Sequence, residues 1–93
     1  MKGITMAQRT TTIASAVGLH ARPAAVFSQA AAKSGHTVTL TTNGKTINAS
    51  SILSILGLSI SHGDEVTIDV KGAEAERVAD ELQAILATDL DAA

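Results

Sequence analysis

Hydrophobic and polar residues alternate in two parts of the chain, and this spacing predicts β-strands. The alternation runs through residues 37–41 and, more clearly, through residues 66–70. Asn43-Gly44 follows the first run and is the strongest short signal for a hairpin turn, and the alternation resumes beyond it at Ile47 and Ala49. We therefore expect a hairpin centred on this turn, followed later by a strand with one buried and one solvated face.

A first strand is predicted near the start of the chain. The threonine-rich run at residues 7–15, around Ile13, favours a strand through its β-branched side chains, although the apolar alternation is weak there. Residues 1–5 precede a second methionine, Met6, and carry no pattern. We expect them to be a disordered extension, with residues 6–93 forming one domain, because 93 residues suffice for a single core.

Apolar residues at helical spacing predict two longer helices. The first runs from about Pro23, which suits a first helical turn, to Lys33, and Ser34-Gly35 offers a glycine on which helices often end. The second follows Gly72 and carries glutamates in its first turn, where the helix dipole favours anions. Its apolar face consists of Ala75, Val78, Ala79, Leu82, Ile85 and Leu86.

A short helix is predicted at residues 52–56. Ser50 or Ser51 can cap its start, and Gly57 can end it. The apolar run alone also fits a buried strand, but such a strand directly after a hairpin arm would need another turn. The helix is therefore the preferred interpretation.

The predicted order is strand, helix, strand, strand, helix, strand, helix, which indicates an α+β fold. Strands that alternate, rather than being continuously apolar, favour an antiparallel sheet with helices covering one face. Apolar residues make up 45% of the chain but include a single aromatic, Phe27, so the core must be thin and aliphatic.

Composition excludes several classes of function. Seven basic and nine acidic residues give a net charge of −2, and with neither a basic stripe nor stacking aromatics we expect no nucleic-acid partner. The chain has no cysteine, hence no disulfide and no thiolate metal site, which is typical of an intracellular domain. No apolar run approaches the roughly 18 residues of a membrane span, and no signal peptide is evident. We expect a cytoplasmic protein without membrane insertion.

The loop before the first helix has the sequence Gly18-Leu19-His20-Ala21-Arg22-Pro23. Gly18 lets the backbone turn, Leu19 can anchor the loop in the core, and Pro23 fixes the first helical turn. Proline also disfavours a helical conformation in the residue before it, so we expect Arg22 to be extended. His20 is left exposed beside a helix N-terminus.

These residues suit the transfer of an anionic group. The unpaired backbone N–H groups of Ala21, Arg22 and Ala24 and the helix dipole favour an anion, and the guanidinium can fork onto phosphate. A histidine with an ordinary pKa near about 6.5 is largely neutral at pH 7 and can attack phosphorus. Taken alone, so short a motif also fits a solvated loop histidine.

The motif is more significant than its length suggests, because it lies within a much longer sequence match. The chain resembles the HPr family of histidine-containing phosphocarrier proteins, which belong to the bacterial phosphoenolpyruvate-dependent sugar phosphotransferase system. The resemblance extends from about Met6 to the last helix and is carried by residues 17–25, residues 43–49 and the apolar segment that begins at Ser51. It implies an open-faced sandwich, βαββαβα, with strand order 1-4-2-3 and three helices on one face.

The same resemblance implies a function. His20 would accept a phosphoryl group on Nδ1 from phospho-enzyme I and pass it to a sugar-specific IIA component, and Arg22 would orient the phosphate. The protein would act as a monomeric, stoichiometric carrier without a cofactor, not as an enzyme. The sugar and the particular IIA partners are left open.

The short helix is too apolar for all its residues to face a thin core. Scattered exposed apolar residues are normal, whereas a contiguous patch would mark a docking surface. By resemblance, Ile52, Leu53 and Leu56 match the partner-facing positions of the family. Ser51, a helix cap on sequence grounds, matches a serine that a kinase phosphorylates as a regulatory switch in some bacteria.

The chain departs from the family in two places. Ser59 stands where the family usually has glycine, so the turn after the short helix is expected to differ. Basic residues that are common around the docking face are fewer, with Gln29, Ala32, Ser50 and Ser54 at the corresponding positions.

The other histidines have weaker claims to chemistry. His36 and His62 each lie beside a glycine, and both are interpreted as solvated turn residues. No pair of histidines or carboxylates has the spacing of metal ligands, so no metal is expected.

Two other functions fit parts of the sequence. A hydrolase resembling acylphosphatase would have a similar length, but it would need a water-positioning asparagine beside a phosphate loop and would turn over acyl phosphates without becoming labelled. An adaptor that binds a transcriptional regulator through the apolar helix is the other, and that role can coexist with phosphoryl transfer.

Overall fold

In a computed structural model, the described part of the chain comprises residues 5–16, 18, 19 and 21–88. Its strands and helices follow the predicted βαββαβα order. They are β1 (Thr5–Thr12), α1 (Ala21–Lys33), β2 (Thr37–Thr42), β3 (Lys45–Asn48), α2 (Ile52–Leu56), β4 (Glu65–Gly72) and α3 (Ala75–Leu86).

The four strands form one antiparallel sheet in the order β1-β4-β2-β3. The pairing places Ala7 opposite Val70 on β4, and Val70 opposite Val38 on β2. The hairpin between β2 and β3 turns at Asn43 and Gly44, whose φ angles of 51° and 77° suit a type I′ turn. The open-faced sandwich and its strand order, expected from the resemblance, are confirmed.

The two faces of the sheet differ in polarity. On one face the apolar side chains of the central strands, including Leu40, Val66 and Ile68, are buried under the helices. The opposite face is lined by polar side chains, among them the hydrogen-bonded pairs Thr10–Thr67 (3.1 Å) and Thr41–Thr46 (2.8 Å). The alternation in the sequence therefore separates a core face from an open face.

Helices α1 and α3 supply the other half of the core. Phe27 on α1 is fully buried, and Val78 and Leu82 on α3 are each only 1% exposed. The predicted apolar face of α3 is confirmed, with Ile85 half-buried at its margin. None of the helices in the described ranges is both long and apolar enough to cross a membrane.

The first strand starts and ends earlier than predicted. Thr5, which was expected to belong to the extension, pairs with Gly72, and β1 ends at Thr12 rather than Ser15. The reason lies at its exit from the sheet. The N–H of Ile13 still donates to Asp64 O (3.0 Å), but the N–H of Ala14 donates to Leu86 O at the end of α3 (3.1 Å), so the chain leaves β4 there.

Helix α1 starts before Pro23. It begins at Ala21, and Arg22, which was expected to be extended, is helical. Proline is tolerated at the third helical position because the first four N–H groups of a helix have no partner within it. Continuing the helix through the first turn overrides the local bias of the residue before proline.

Helix α2 has its predicted bounds, and Gly57 ends it as predicted. Ser51 caps the helix, and its Oγ accepts a hydrogen bond from the N–H of Ser54 at 3.3 Å. Gly57 follows the last helical residue with a right-handed φ of −66°, so its conformational freedom is not used there. The left-handed residue is Ser59, with a φ of 54°.

His36 is not the solvated turn residue that the sequence suggested. Its Nδ1 donates to Ser34 O (2.7 Å), and its Nε2 accepts the N–H of Glu74 (3.0 Å), just before α3. The ring also lies so close to the backbone of Gly72 that a Cβ there would overlap it. His36 therefore joins the start of β2 to the start of α3.

Candidate functional site

The candidate site lies in the loop between β1 and α1. Val17 and His20 lie outside the described residues, so the predicted reactive histidine is located here through the residues on either side of it. The described flanks are residues 13–16, Gly18 and Leu19 before it, and the first turn of α1 after it.

Gly18 and Leu19 hold the loop against the body of the protein. Gly18 has a φ of 81°, and a Cβ on it would lie 2.5 Å from the carbonyl oxygen of Ile60, so any other residue would be both strained and obstructed. Leu19 is 3% exposed, and its N–H donates to the same Ile60 oxygen at 3.0 Å. The predicted roles of these two residues, a turn and an anchor, are confirmed.

The first turn of α1 supplies donors and a positive charge. The helix begins at Ala21, the residue that follows His20 in the sequence, and no acidic residue stands in its first turn. The N–H groups of Ala21 and Arg22 belong to the first turn, whose donors have no acceptor within a helix, and Pro23 has no N–H. Ala24, which was predicted to be a third donor, is the fourth residue of the helix, where the intrahelical hydrogen bonds begin, because α1 starts two residues before Pro23. Arg22 is exposed, and in the part of the chain that the structure describes the ion pairs are made by other arginines.

A second loop, residues 60–64, braces the first. Two backbone hydrogen bonds join Ile13 to this loop, one to Asp64 O (3.0 Å) and one from the N–H of Gly63 (2.9 Å). The side chain of His62 adds a third contact through Nδ1, which lies 3.1 Å from Ser15 O. His62 is exposed, as predicted, but it is also tethered.

Sequence reasoning missed this contact because its two residues are 47 positions apart. The triplet His62-Gly63-Asp64 signals a turn, yet nothing in the local pattern says which distant backbone the turn touches. The pairing of β1 with β4 brings the two loops together, since one follows Thr12 at the end of β1, the other precedes Glu65 at the start of β4, and these two residues are paired.

The apolar residues of α2 divide as its helical geometry requires. Ile55 is buried, Ile52 and Leu56 are half-buried, and Leu53 is 79% exposed. Helix α2 also contacts α1, the helix whose first turn follows His20. The predicted partner-facing residues therefore form an apolar surface on a neighbour of the candidate site.

The serines of this region have separate roles. Ser51 is the cap of α2, whereas both the N–H and the Oγ of Ser50 donate to Asn48 Oδ1, at 2.9 and 2.7 Å. Of the two serines that the sequence offered as the cap of α2, Ser51 is therefore the one that caps it.

The arrangement is suited to an anion. Among the described residues, no three His, Cys, Asp or Glu side chains gather as metal ligands. Backbone donors at the start of α1, the helix dipole and one guanidinium instead supply the positive potential.

Comparison with known proteins identifies one family. The sequence profile described as "PTS HPr component phosphorylation site" matches residues 7–88. The matched region includes every predicted site residue.

Individual proteins agree with that profile. The phosphocarrier protein HPr of Streptomyces coelicolor is 44% identical over 79 residues, which cover 80% of this chain and 85% of that protein. The crystal structure of HPr from Bacillus anthracis superposes with a TM-score of 0.83 at 37% identity, covering 87% of this chain and 96% of that one. Crh of Bacillus subtilis, whose crystal structure is described as a dimer with a swapping domain, has a TM-score of 0.69 at 35% identity, covering 86% of this chain and 92% of that one.

Proposed function

The chain belongs to the HPr family of phosphocarriers of the phosphotransferase system, and from this premise we propose that it carries a phosphoryl group on His20. Phospho-enzyme I would donate the group to Nδ1 of this histidine, and a sugar-specific IIA component would accept it. The phosphoryl group leaves as it arrived, so the protein is a stoichiometric carrier and not an enzyme.

One observation carries the proposal. Helix α1 begins at the residue immediately after His20, with Arg22 exposed in its first turn. A phosphoryl group on residue 20 would therefore be attached next to unpaired N–H groups and a guanidinium, the groups that proteins use to hold phosphate.

The strength of this support suits a carrier. A helix dipole contributes about 0.3–1 kcal/mol and a hydrogen bond to a charged group about 1.5–3 kcal/mol. Contributions of this size hold a phosphohistidine in place, yet the next protein can still remove the group.

The partners would dock beside the site. The exposed Leu53, with the half-buried Ile52 and Leu56, offers an apolar surface on a helix that contacts α1. We assign it to enzyme I and the IIA components, because both must approach the same histidine. We further assign the protein to the cytoplasm, where its partners act, and propose a monomer without a cofactor.

Ser51 is proposed as a regulatory position. A phosphate there would gain from the N-terminus of α2, so the fold would persist, but its roughly −1.5 to −2 charges would lie beside Ile52 and Leu53. Repulsion and desolvation would then weaken docking. We expect Ser51→Asp to accept phosphate from enzyme I several times more slowly than Ser51→Ala at low salt; equal rates would exclude this role.

The assignment of His20 is tested by substitution. We expect His20→Ala to lose phosphoryl acceptance from phosphoenolpyruvate and enzyme I while keeping its far-UV circular dichroism spectrum and thermal midpoint. His62→Gln is the matched control for the acceptor itself, because it removes another exposed loop histidine and, whatever its rate, should still gain one phosphoryl group at the end point of the reaction. Undiminished phosphorylation of the His20 variant would refute the proposal, and so would acyl phosphate turnover by the unmodified chain.

A further inference from the structure

His62 makes a contact that the proposed function does not use. Its ring lies on the turn at residues 61–64, which is closed by two hydrogen bonds, from the N–H of Asp64 to Ser61 O (3.1 Å) and from the N–H of Ser61 to Asp64 Oδ2 (2.8 Å). From this closed turn, Nδ1 reaches Ser15 O at 3.1 Å. The contact therefore links this hydrogen-bonded turn to the loop that precedes His20.

The partner of the ring fixes which nitrogen carries hydrogen. A backbone carbonyl only accepts hydrogen bonds, so Nδ1 must be the protonated nitrogen of His62. The same Ser15 oxygen accepts the N–H of Gly18 at 3.0 Å. Since a carbonyl oxygen has two lone pairs, both bonds can form together.

The bond from His62 thus acts at the base of the reactive loop. The carbonyl it holds closes the turn from Ser15 to Gly18, and Leu19 follows with its N–H on Ile60 O. Ser15 is itself 2% exposed, so the tether orients a buried peptide group. His20 is the next residue along the chain.

We propose that His62 is a positioning residue for phosphoryl transfer, and that its Nδ1–H holds the backbone of Ser15, and through it Gly18 and Leu19, the residues that lead to His20. This inference rests on the proposed function of His20. It assigns His62 no contact with phosphate. Its effect passes through the backbone of the loop, and a small displacement of a reacting group is enough to slow a reaction.

Two substitutions separate the hydrogen bond from the rest of the ring. His62→Ala removes the donor. His62→Asn keeps an N–H donor bonded to Cγ, at the place that Nδ1 occupies, but removes the remainder of the imidazole. A positioning role therefore predicts that Asn restores what Ala loses.

The tether is tested first without phosphoryl transfer. In His62→Ala, we expect the amide hydrogens of Gly18 and Leu19 to exchange roughly three- to tenfold faster, the range set by one hydrogen bond, while Asn stays near the original rate. The amide of Ala49, which donates to Val38 O across the sheet at 2.9 Å, is the internal control. Nitrogen NMR of the neutral His62 ring should show the hydrogen on Nδ1.

The role in transfer is tested with enzyme I and phosphoenolpyruvate. We expect the turnover for His62→Ala to fall about three- to tenfold with its apparent KM changed by less than twofold, and His62→Asn to recover most of the loss. A hydrogen on Nε2 alone, or unchanged exchange at Gly18 and Leu19, would overturn the tether. Faster exchange with unchanged turnover, or a loss that Asn does not restore, would overturn the positioning role.

These outcomes are distinct from failure of the proposed function. If the unmodified chain accepts no phosphoryl group, the carrier assignment fails and the positioning role falls with it, while amide exchange still decides whether the tether exists.

Discussion

Left-handed backbone conformations occur with and without glycine in the loops around the site. Gly18 needs its missing side chain, because its φ is 81° and Ile60 O stands where a Cβ would be. Ser59 adopts a φ of 54° although it has a side chain, and Gly57, two residues earlier, is right-handed at −66°. The turn after α2 thus contains one left-handed position, and the residue there, Ser59, is strained because it has a side chain.

Replacing that residue should stabilise the protein. Ser59→Gly relieves a conformation that costs a non-glycine residue about 1–2 kcal/mol, and it loses part of the gain to the greater entropy of the unfolded chain. We expect a net gain of about 0.5–1 kcal/mol in the free energy of unfolding, measured in urea. Gly57→Ala is the control and should be neutral or mildly stabilising, because a Cβ there meets only ordinary contacts of 3.4 Å. A lower stability for Ser59→Gly would contradict this reading of the turn.

Arg22 tests the anion site at the level of a single side chain. Because the guanidinium is proposed to act on the transferring phosphoryl group, Arg22→Ala should lower turnover about tenfold or more, from a charged hydrogen bond of about 1.5–3 kcal/mol. The apparent KM for enzyme I should change by less than twofold. Arg22→Lys keeps the positive charge but lacks the paired N–H donors of a guanidinium, so its turnover should lie between those of the unmodified chain and Arg22→Ala. Normal turnover with only a raised KM would instead assign Arg22 to docking.

Sequence could identify these residue types but not all of their conformations. The motif from Gly18 to Pro23 predicted a turn, an anchor and a helix start, and the described residues agree apart from two details. The helix begins two residues before Pro23, and Arg22 is helical, because the preference of a residue before proline is weak against a helix packed on the core.

At the scale of elements, α2 is short yet carries much of the exposed apolar surface. Leu53 is 79% exposed on it, while Met6 is 64% exposed on β1, where the sheet has its open face. These two residues offer a matched comparison, since each is a large apolar side chain in solvent but only one is proposed to meet partners.

Leu53→Ser should therefore weaken docking, and Met6→Ser should not. Loss of a buried leucine contact at an interface predicts a rise of about fivefold or more in the apparent KM for enzyme I, with turnover little changed. Both variants should keep the stability of the unmodified chain, because both side chains are already in solvent. Equal KM values for the two variants would place the docking surface elsewhere.

His36 joins two elements that are remote in sequence. Its ring forms hydrogen bonds with Ser34 O and the N–H of Glu74, and it lies against Gly72. These contacts fix the start of β2 relative to the start of α3. Nearby on α3, hydrogen bonds from Arg77 to Glu74 and then to Glu81 raise the pKa of Arg77.

The junction can be tested by a double-mutant cycle. His36→Ala should cost about 1–2 kcal/mol through two lost hydrogen bonds, and Gly72→Ala should cost at least as much because its Cβ would overlap the ring. In the double variant the space left by the ring admits the new methyl group, so the combined cost should be smaller than the sum. Additive costs, measured by urea unfolding, would show that the ring and Gly72 do not interact.

The elements themselves were largely predictable, and the contacts between them were not. The Asn43-Gly44 hairpin and the bounds of α2 follow from local signals of turn and cap. The role of His36 depends on how β2 meets α3, and the exit of β1 depends on Leu86 at the far end of the chain. Neither relation has a local signature, so both were missed.

At the scale of the whole molecule, the antiparallel sheet and its covering helices follow from strand alternation and element order. The strand order 1-4-2-3 came from family resemblance, because periodicity does not say which strands are neighbours. Once that order is set, β1 and β4 lie side by side, and the loop after β1 meets the loop before β4. The site is therefore a product of topology as much as of the motif around His20.

The most direct test of the account is the intact mass of the chain after incubation with phosphoenolpyruvate and enzyme I. Phosphohistidine is hydrolysed in acid, whereas a phosphoserine ester survives it. We predict a gain of one phosphoryl group at neutral pH, lost after brief acid treatment and absent in His20→Ala. A chain that gains no phosphoryl group, or gains one that resists acid, would contradict the central claim.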